Sequence, residues 1–186
     1  MRALTRLDAD NILAPLGIKI GEWNELLEIT SASEISMRAL KPPTAAINLY
    51  VVSLWLTDWL PIGNWKLLQI DNSTSLSNDE SLLFQQLLDS LKQGGDVTSE
   101  RTFQFVVGEK GATRQRIDVL ISSIIFFALM FEWHIHIVAD GGAQGQRLAL
   151  LDGIIYFFGD KESISIAESL EEHLKSHPLA TPQKNK

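Results

Sequence analysis

His134 and His136 stand two residues apart in EWHIHIVADGG, and His173 and His177 stand four apart in EEHLKSH. On a strand, residues i and i+2 point to one face; on a helix, residues i and i+4 do so. Each pair therefore has the spacing of metal ligands, and the two together would offer four imidazole nitrogens to one ion. The same spacings have a plainer origin. Trp133, Ile135 and Ile137 form an apolar strand face, which leaves His134 and His136 on a solvated one. His173 and His177 fall in the last turns of a helix, where the carbonyl ends favour a cation. The solvated-face reading is preferred, and neither a metal nor any other cofactor is expected.

A second candidate is the loop GEKGATRQR, between a strand and a helix. Backbone N–H groups at a helix start, with Thr113 as cap and Lys110, Arg114 and Arg116 nearby, could hold a phosphate or carboxylate. The loop lacks the GxxxxGK-Ser/Thr pattern of a nucleotide-binding P-loop, so it reads as an ordinary solvated connection. Nucleophile motifs are missing as well: the chain has no GxSxG, HExxH or GxGxxG. Ser122 and Ser123 lie inside an apolar helix, where their hydroxyls are expected to bond back to the preceding turn. Asp71, Asp140 and Asp152 sit at strand ends, and turn chemistry accounts for Asp140 and Asp152. The expectation is a protein without catalytic residues.

The elements that must position these groups are legible to different degrees. A chain of 186 residues buries roughly 70% of the surface its unfolded form exposes, enough for a conventional core. We expect one α+β domain over residues 1–177, with the first forty or so as an extra layer, and a frayed tail over 178–186. DADNILAPL reads as a short helix capped by Asp8 or Asp10 and stopped at Gly17. A strand is expected around Glu25–Thr30. Between Thr44 and Pro61 a largely buried helix is expected, with Ile47, Val51, Leu54, Trp55 and Trp59 as its apolar stripe. WKLLQID, Trp65–Asp71, reads as a strand. Ser77 and Glu80 then form a capping box for a helix burying Leu82, Leu83, Phe84, Leu87, Leu88 and Leu91.

RTFQFVV alternates as a strand, and RQRIDVLISSIIFFALMF reads as a buried helix of about five turns. Its uncharged stretch, Val119–Phe131, is thirteen residues long, against roughly 20 for a membrane span. WHIHIVA, RLALL and IIYFF form a three-stranded antiparallel meander, with Asp152 and Gly153 as a tight turn. DKESISIAESLEEHLKSHP closes the fold as an amphipathic helix with the stripe Ile164, Ala167, Leu170 and Leu174. The architecture is therefore a mixed or antiparallel sheet, packed against one buried and several amphipathic helices.

Composition bounds the function. There is no cysteine, which excludes disulfides, thiolate metal sites and a cysteine nucleophile. A net charge of −7 opposes non-specific nucleic-acid binding and matches a basic protein partner. The charged start, MRALTRLDADN, lacks the apolar core of a signal peptide, so a cytoplasmic location is expected. Glu168, Glu171 and Glu172 crowd the last helix, Asp160 and Glu162 precede them, and Asp152 marks the hairpin. If that helix packs on the meander, these six carboxylates form one negative edge, although a charged helix face also serves simple solubility. Of five tryptophans, most are expected in the core, while Trp59 and Trp65 flank a turn and are candidate interface anchors.

The C-terminal half, with FEWHIHIV, the hairpin LLDGIIYFFGD and the acidic helix, resembles small cytosolic immunity proteins of bacterial toxin systems. The resemblance spans about residues 100–175 and is one of size, acidity and layout, without a residue-specific motif. It implies a stoichiometric inhibitor that neutralises a cognate toxin, often a basic nuclease, by charge and shape complementarity. A secretion or folding chaperone is the alternative, and a histidine-based metal enzyme ranks third.

Overall fold

In the structure, a computed structural model, the chain is described over residues 2–21, 27–30, 35–70, 82, 86, 102–106 and 111–176. β1 (Arg2–Leu4) leads into α1 (Arg6–Leu13). Thr5 caps that helix, its hydroxyl accepting the Asp8 N–H at 3.2 Å. The expected caps lie inside the helix instead, and Asp10 is held by another element, accepting the Ile20 N–H at 2.8 Å. Gly17 ends the segment in the left-handed region as expected, with φ 68°. β2 (Ile18–Ile20) then pairs with β3 (Leu27–Ile29) as a two-stranded sheet. β4 (Ser36–Leu40) and α2 (Ala46–Trp59) follow, and then β5 (Trp65–Ile70) and β6 (Thr102–Val106).

Of the helix expected after Ser77, only Leu82 and Gln86 are described. Both are helical, and Leu82 is exposed rather than part of a buried stripe. α3 (Gly111–Met130) starts before its expected cap, so Thr113 lies within the first turn. β7 (Ile135–Ala139), β8 (Arg147–Leu151) and β9 (Ile154–Gly159) form the meander, and α4 (Lys161–Ser176) closes the described chain. Asp152 and Gly153 both take positive φ, 51° and 68°, the geometry that a two-residue hairpin needs.

Seven strands form one antiparallel sheet in the order β1-β6-β5-β7-β8-β9-β4. β5 lies between β6 and β7 and is antiparallel to both, so β6–α3–β7 is a crossover that passes over β5. The first forty residues divide between the sheet and a layer packed on it. β1 is one edge of the sheet and β4 the other, while α1 and the β2–β3 hairpin pack across the face between them.

The alternation of each strand feeds two cores. Leu68, Phe103, Ile135, Ile137, Leu148 and Phe157 point to the face carrying α2, α3 and α4, where Val52, Leu56, Ile121, Ile124 and Ala167 meet them. Leu67 and Val138 point to the opposite face, under Leu4, Ala9, Leu13, Ile18 and Leu27. With both faces covered, all five residues of β7 are buried. His136 is 2% exposed, which overturns the expected solvated face.

The two apolar helices depart from expectation, α2 in the face it buries and α3 in being only partly buried. In α2 the buried row is Leu49, Val52, Leu56 and Trp59, with Asn48, Ser53 and Thr57, whereas Ile47 is 59% and Leu54 39% exposed. α2 is apolar on nearly every side, so periodicity selects no face. The Ser53 and Thr57 hydroxyls tolerate burial by donating to Tyr50 O and Ser53 O at 2.7 and 2.8 Å. α3 is not enclosed: it buries Ile117, Leu120, Ile121, Ile124 and Ile125 but leaves Val119 60% exposed.

Candidate functional site

Of the carboxylates of the expected acidic edge, Asp152 stands apart and the other five lie at or in α4. Asp152 precedes β9 and Asp160 follows it, so the strand's length separates them, about 20 Å for six residues. Asp160 starts α4, its Oδ1 accepting the Ser163 N–H at 2.9 Å, and hydrogen bonds from Ser163 hold its carboxyl below the usual carboxylate range. Glu171 is tied to Arg38 of β4, with Nη2 to Oε2 at 2.5 Å and Nε to the same oxygen at 3.1 Å. Glu168 lies 3.9 Å from the same guanidinium, which these two carboxylates push above its ordinary range. Glu162 and Glu172 are exposed. The sequence offered no sign of the Arg38 contact, because the partners are 133 residues apart.

Trp59 and Trp65 pack against the two cores. Trp59 is buried, donates Nε1–H to Ser163 O at 3.0 Å, and meets Phe157 edge-on at 5.0 Å. Trp65 is half-buried against the second core. Neither is an exposed anchor.

His134 Nε2 lies 3.1 Å from the Asp152 backbone N and 3.0 Å from Asp152 Oδ1. These contacts make opposite demands on one atom, an acceptor for the first and a protonated donor for the second. The backbone contact needs Nε2 without a proton, and the carboxylate contact needs a proton on it. Among the described residues no group of three or more His, Asp or Glu side chains is arranged to hold a metal ion. His177 and Lys110 lie outside the described residues, as does Asp71. Asp140 Oδ2 accepts both the backbone N–H and the side-chain N–H of Asn64, and Ser122 and Ser123 both donate to Val119 O at 2.8 Å, as expected of helix serines.

What the fold does assemble is a cleft of about 400 Å³ between α2 and α3, lined by Leu54, Thr57, Asp58, Gln115, Asp118, Val119 and Ser122. Lys66 of β5 lies buried beneath it, with Nζ 2.6 Å from Asp118 Oδ1. Asp118 is thereby partly neutralised, while Asp58 is an exposed carboxylate at the rim. The apolar surface continues beyond the cleft through exposed Ile47 and Tyr50, and Tyr50 meets Phe126 of α3 edge-on at 6.1 Å. The outward faces of two packed helices are thus apolar, with two carboxylates in the seam. Reading these helices as buried hid the site; Asp58, a charge within an apolar run, and Asp118, at the head of another, were the only sequence signal for it.

Comparison with known proteins finds no matching family model, no matching curated sequence and no matching solved structure. The chain is an α+β protein, and among the described residues no helix is long and apolar enough to cross a membrane.

Proposed function

We propose that this protein is a non-catalytic binding module that docks a basic protein partner on the outer face of α2 and α3, in the manner of an immunity protein neutralising its toxin. The observation that carries the reading is the exposed apolar row Ile47, Tyr50, Leu54 and Val119 beside Asp58 and Asp118. Contiguous exposed apolar surface of this kind marks interaction sites in soluble proteins. The acidic seam and the charge of −7 select a cationic partner and hasten its encounter. The polar groups of the cleft suit binding better than turnover. Thr57 and Ser122 donate to helix carbonyls, and Asp118 is held by Lys66.

The test is binding of the full chain to the product of the adjacent gene, with Leu54→Arg and Asp58→Lys as variants. Leu54→Arg should abolish the complex, and Asp58→Lys should slow association and weaken its salt dependence, with the fold intact by circular dichroism. A partner that binds both variants as well as the wild type sinks the proposal.

The same exposed row favours a second reading, a secretion or folding chaperone that shields apolar segments of a client. A chaperone would hold unfolded client and suppress its aggregation. An inhibitor would bind only the folded partner and block its activity.

A further inference from the structure

Arg147, the first residue of β8, is a cation enclosed without an anion among the described residues. It is 6% exposed; its guanidinium carbon lies 3.9 Å from the centroid of the Phe158 ring; and Nη1 donates to Gly145 O at 3.4 Å. Its Nε is buried with no hydrogen-bond partner, and among the described residues no carboxylate pairs with the group. Burial alone lowers the guanidinium to about 10, so the charge persists at neutral pH. A buried donor left unmatched is destabilising, and a buried charge without a counter-charge more so. A ring face offsets only part of that.

The register fixes what surrounds it. Arg147 stands opposite Phe158, and Phe158 opposite Met37; in the next row Ala149 stands opposite Tyr156, and Tyr156 opposite Ala39. This is the sheet face that α1 and the β2–β3 hairpin cover farther along, at Leu67 and Val138. Here Met37 and Ala39 are exposed and Tyr156 and Phe158 are half-buried, with their rings stacked 27° apart at 6.4 Å. An aromatic shelf thus opens beside the guanidinium. With Nη1 on Gly145 and one face on Phe158, the Nε donor is left unmatched, and it belongs to the side-on edge of a guanidinium that pairs with two oxygens of a carboxylate or phosphate.

We propose that Arg147 and the Tyr156–Phe158 shelf form a binding site for an oxyanion carried on a flat ring, the carboxylate or phosphate group meeting the guanidinium edge and the ring lying on the shelf. The site is on the opposite face of the sheet from the α2–α3 cleft and stands independently of it.

The test follows the Arg147 Nε–H resonance of the isotopically labelled full chain during titration with phenyl phosphate, benzoate and inorganic phosphate. Phenyl phosphate or benzoate should produce a saturable shift, and whichever binds tighter identifies the anion. Arg147→Lys keeps the charge and the stem but loses the fork. Followed on the Tyr156 and Phe158 amides, it should weaken binding about tenfold or more. Tyr156→Ala should weaken the two ring-bearing ligands and leave inorganic phosphate unchanged. No saturable shift with any of the three at millimolar concentration overturns the proposal, as does undiminished affinity in Arg147→Lys.

Discussion

Arg38 of β4 reaches Glu171 of α4 with Nη2 2.5 Å from Oε2, joining the last strand of the sheet to the last helix of the described chain. β4 is an edge strand, bonded on one side to β9, and edge strands open most easily. Glu171→Arg should therefore raise hydrogen exchange at the β4 amides of Met37 and Ala39, and the swap Arg38→Glu with Glu171→Arg should restore protection. Exchange in β4 that ignores the single reversal would show that the ion pair does not hold the edge. Charge reversal of Glu168 or Glu171 is accordingly a poor probe of partner binding, since it disturbs the fold first.

Asp160→Ala removes the acceptor at the start of α4 and should cost about 1 kcal/mol of stability. The Asp160 carboxyl is held below its ordinary value of 3.8 in the folded state. Its contribution is therefore present above that value and is lost as pH falls through the lower folded one. Chemical denaturation should give a constant gap between wild type and variant above about pH 5, closing below pH 4. A gap that widens on acidification contradicts this account.

Leu54 and Leu56 are neighbours in α2 facing opposite ways, the first outward and the second fully buried. Leu56→Ala should destabilise by about 2–5 kcal/mol, and Leu54→Ala by about 1 kcal/mol or less. Equal losses in urea melts would mean that α2 is turned differently from the orientation described.

Lys66 is buried with Asp118 as its ion partner, and Asp118 is about one-third exposed. Asp118→Ala leaves the ammonium without its carboxylate and should cost roughly 2–3 kcal/mol, below the figure for a fully enclosed pair because water reaches Asp118. The double change Lys66→Met with Asp118→Leu should recover most of the loss. A double variant no more stable than Asp118→Ala would refute a desolvation origin.

Short stretches of sequence account for the turns, the helix-internal bonds and most of the local elements. Asp152 and Gly153 announce their hairpin because few residue pairs accept two positive φ values, and the alternation in RLALL and IIYFF follows from the pleat. Ser122 and Ser123 bond back within α3 as any helix serine does. Tertiary structure alone decided which surfaces exist. The three-residue β1 and the five-residue β4 are strands only because β6 and β9 pair with them. His136 is buried because residues from the chain's start cross the face it points to. α2 is apolar on nearly every side, so its outward face depends on the sheet and helix it meets, and with that choice went the cleft at Asp58 and Asp118. Arg147 reads as one more charged residue until the register sets it on Phe158 with no carboxylate partner among the described residues. Periodicity and turn chemistry act over a few residues, whereas burial depends on contacts between segments far apart in the chain.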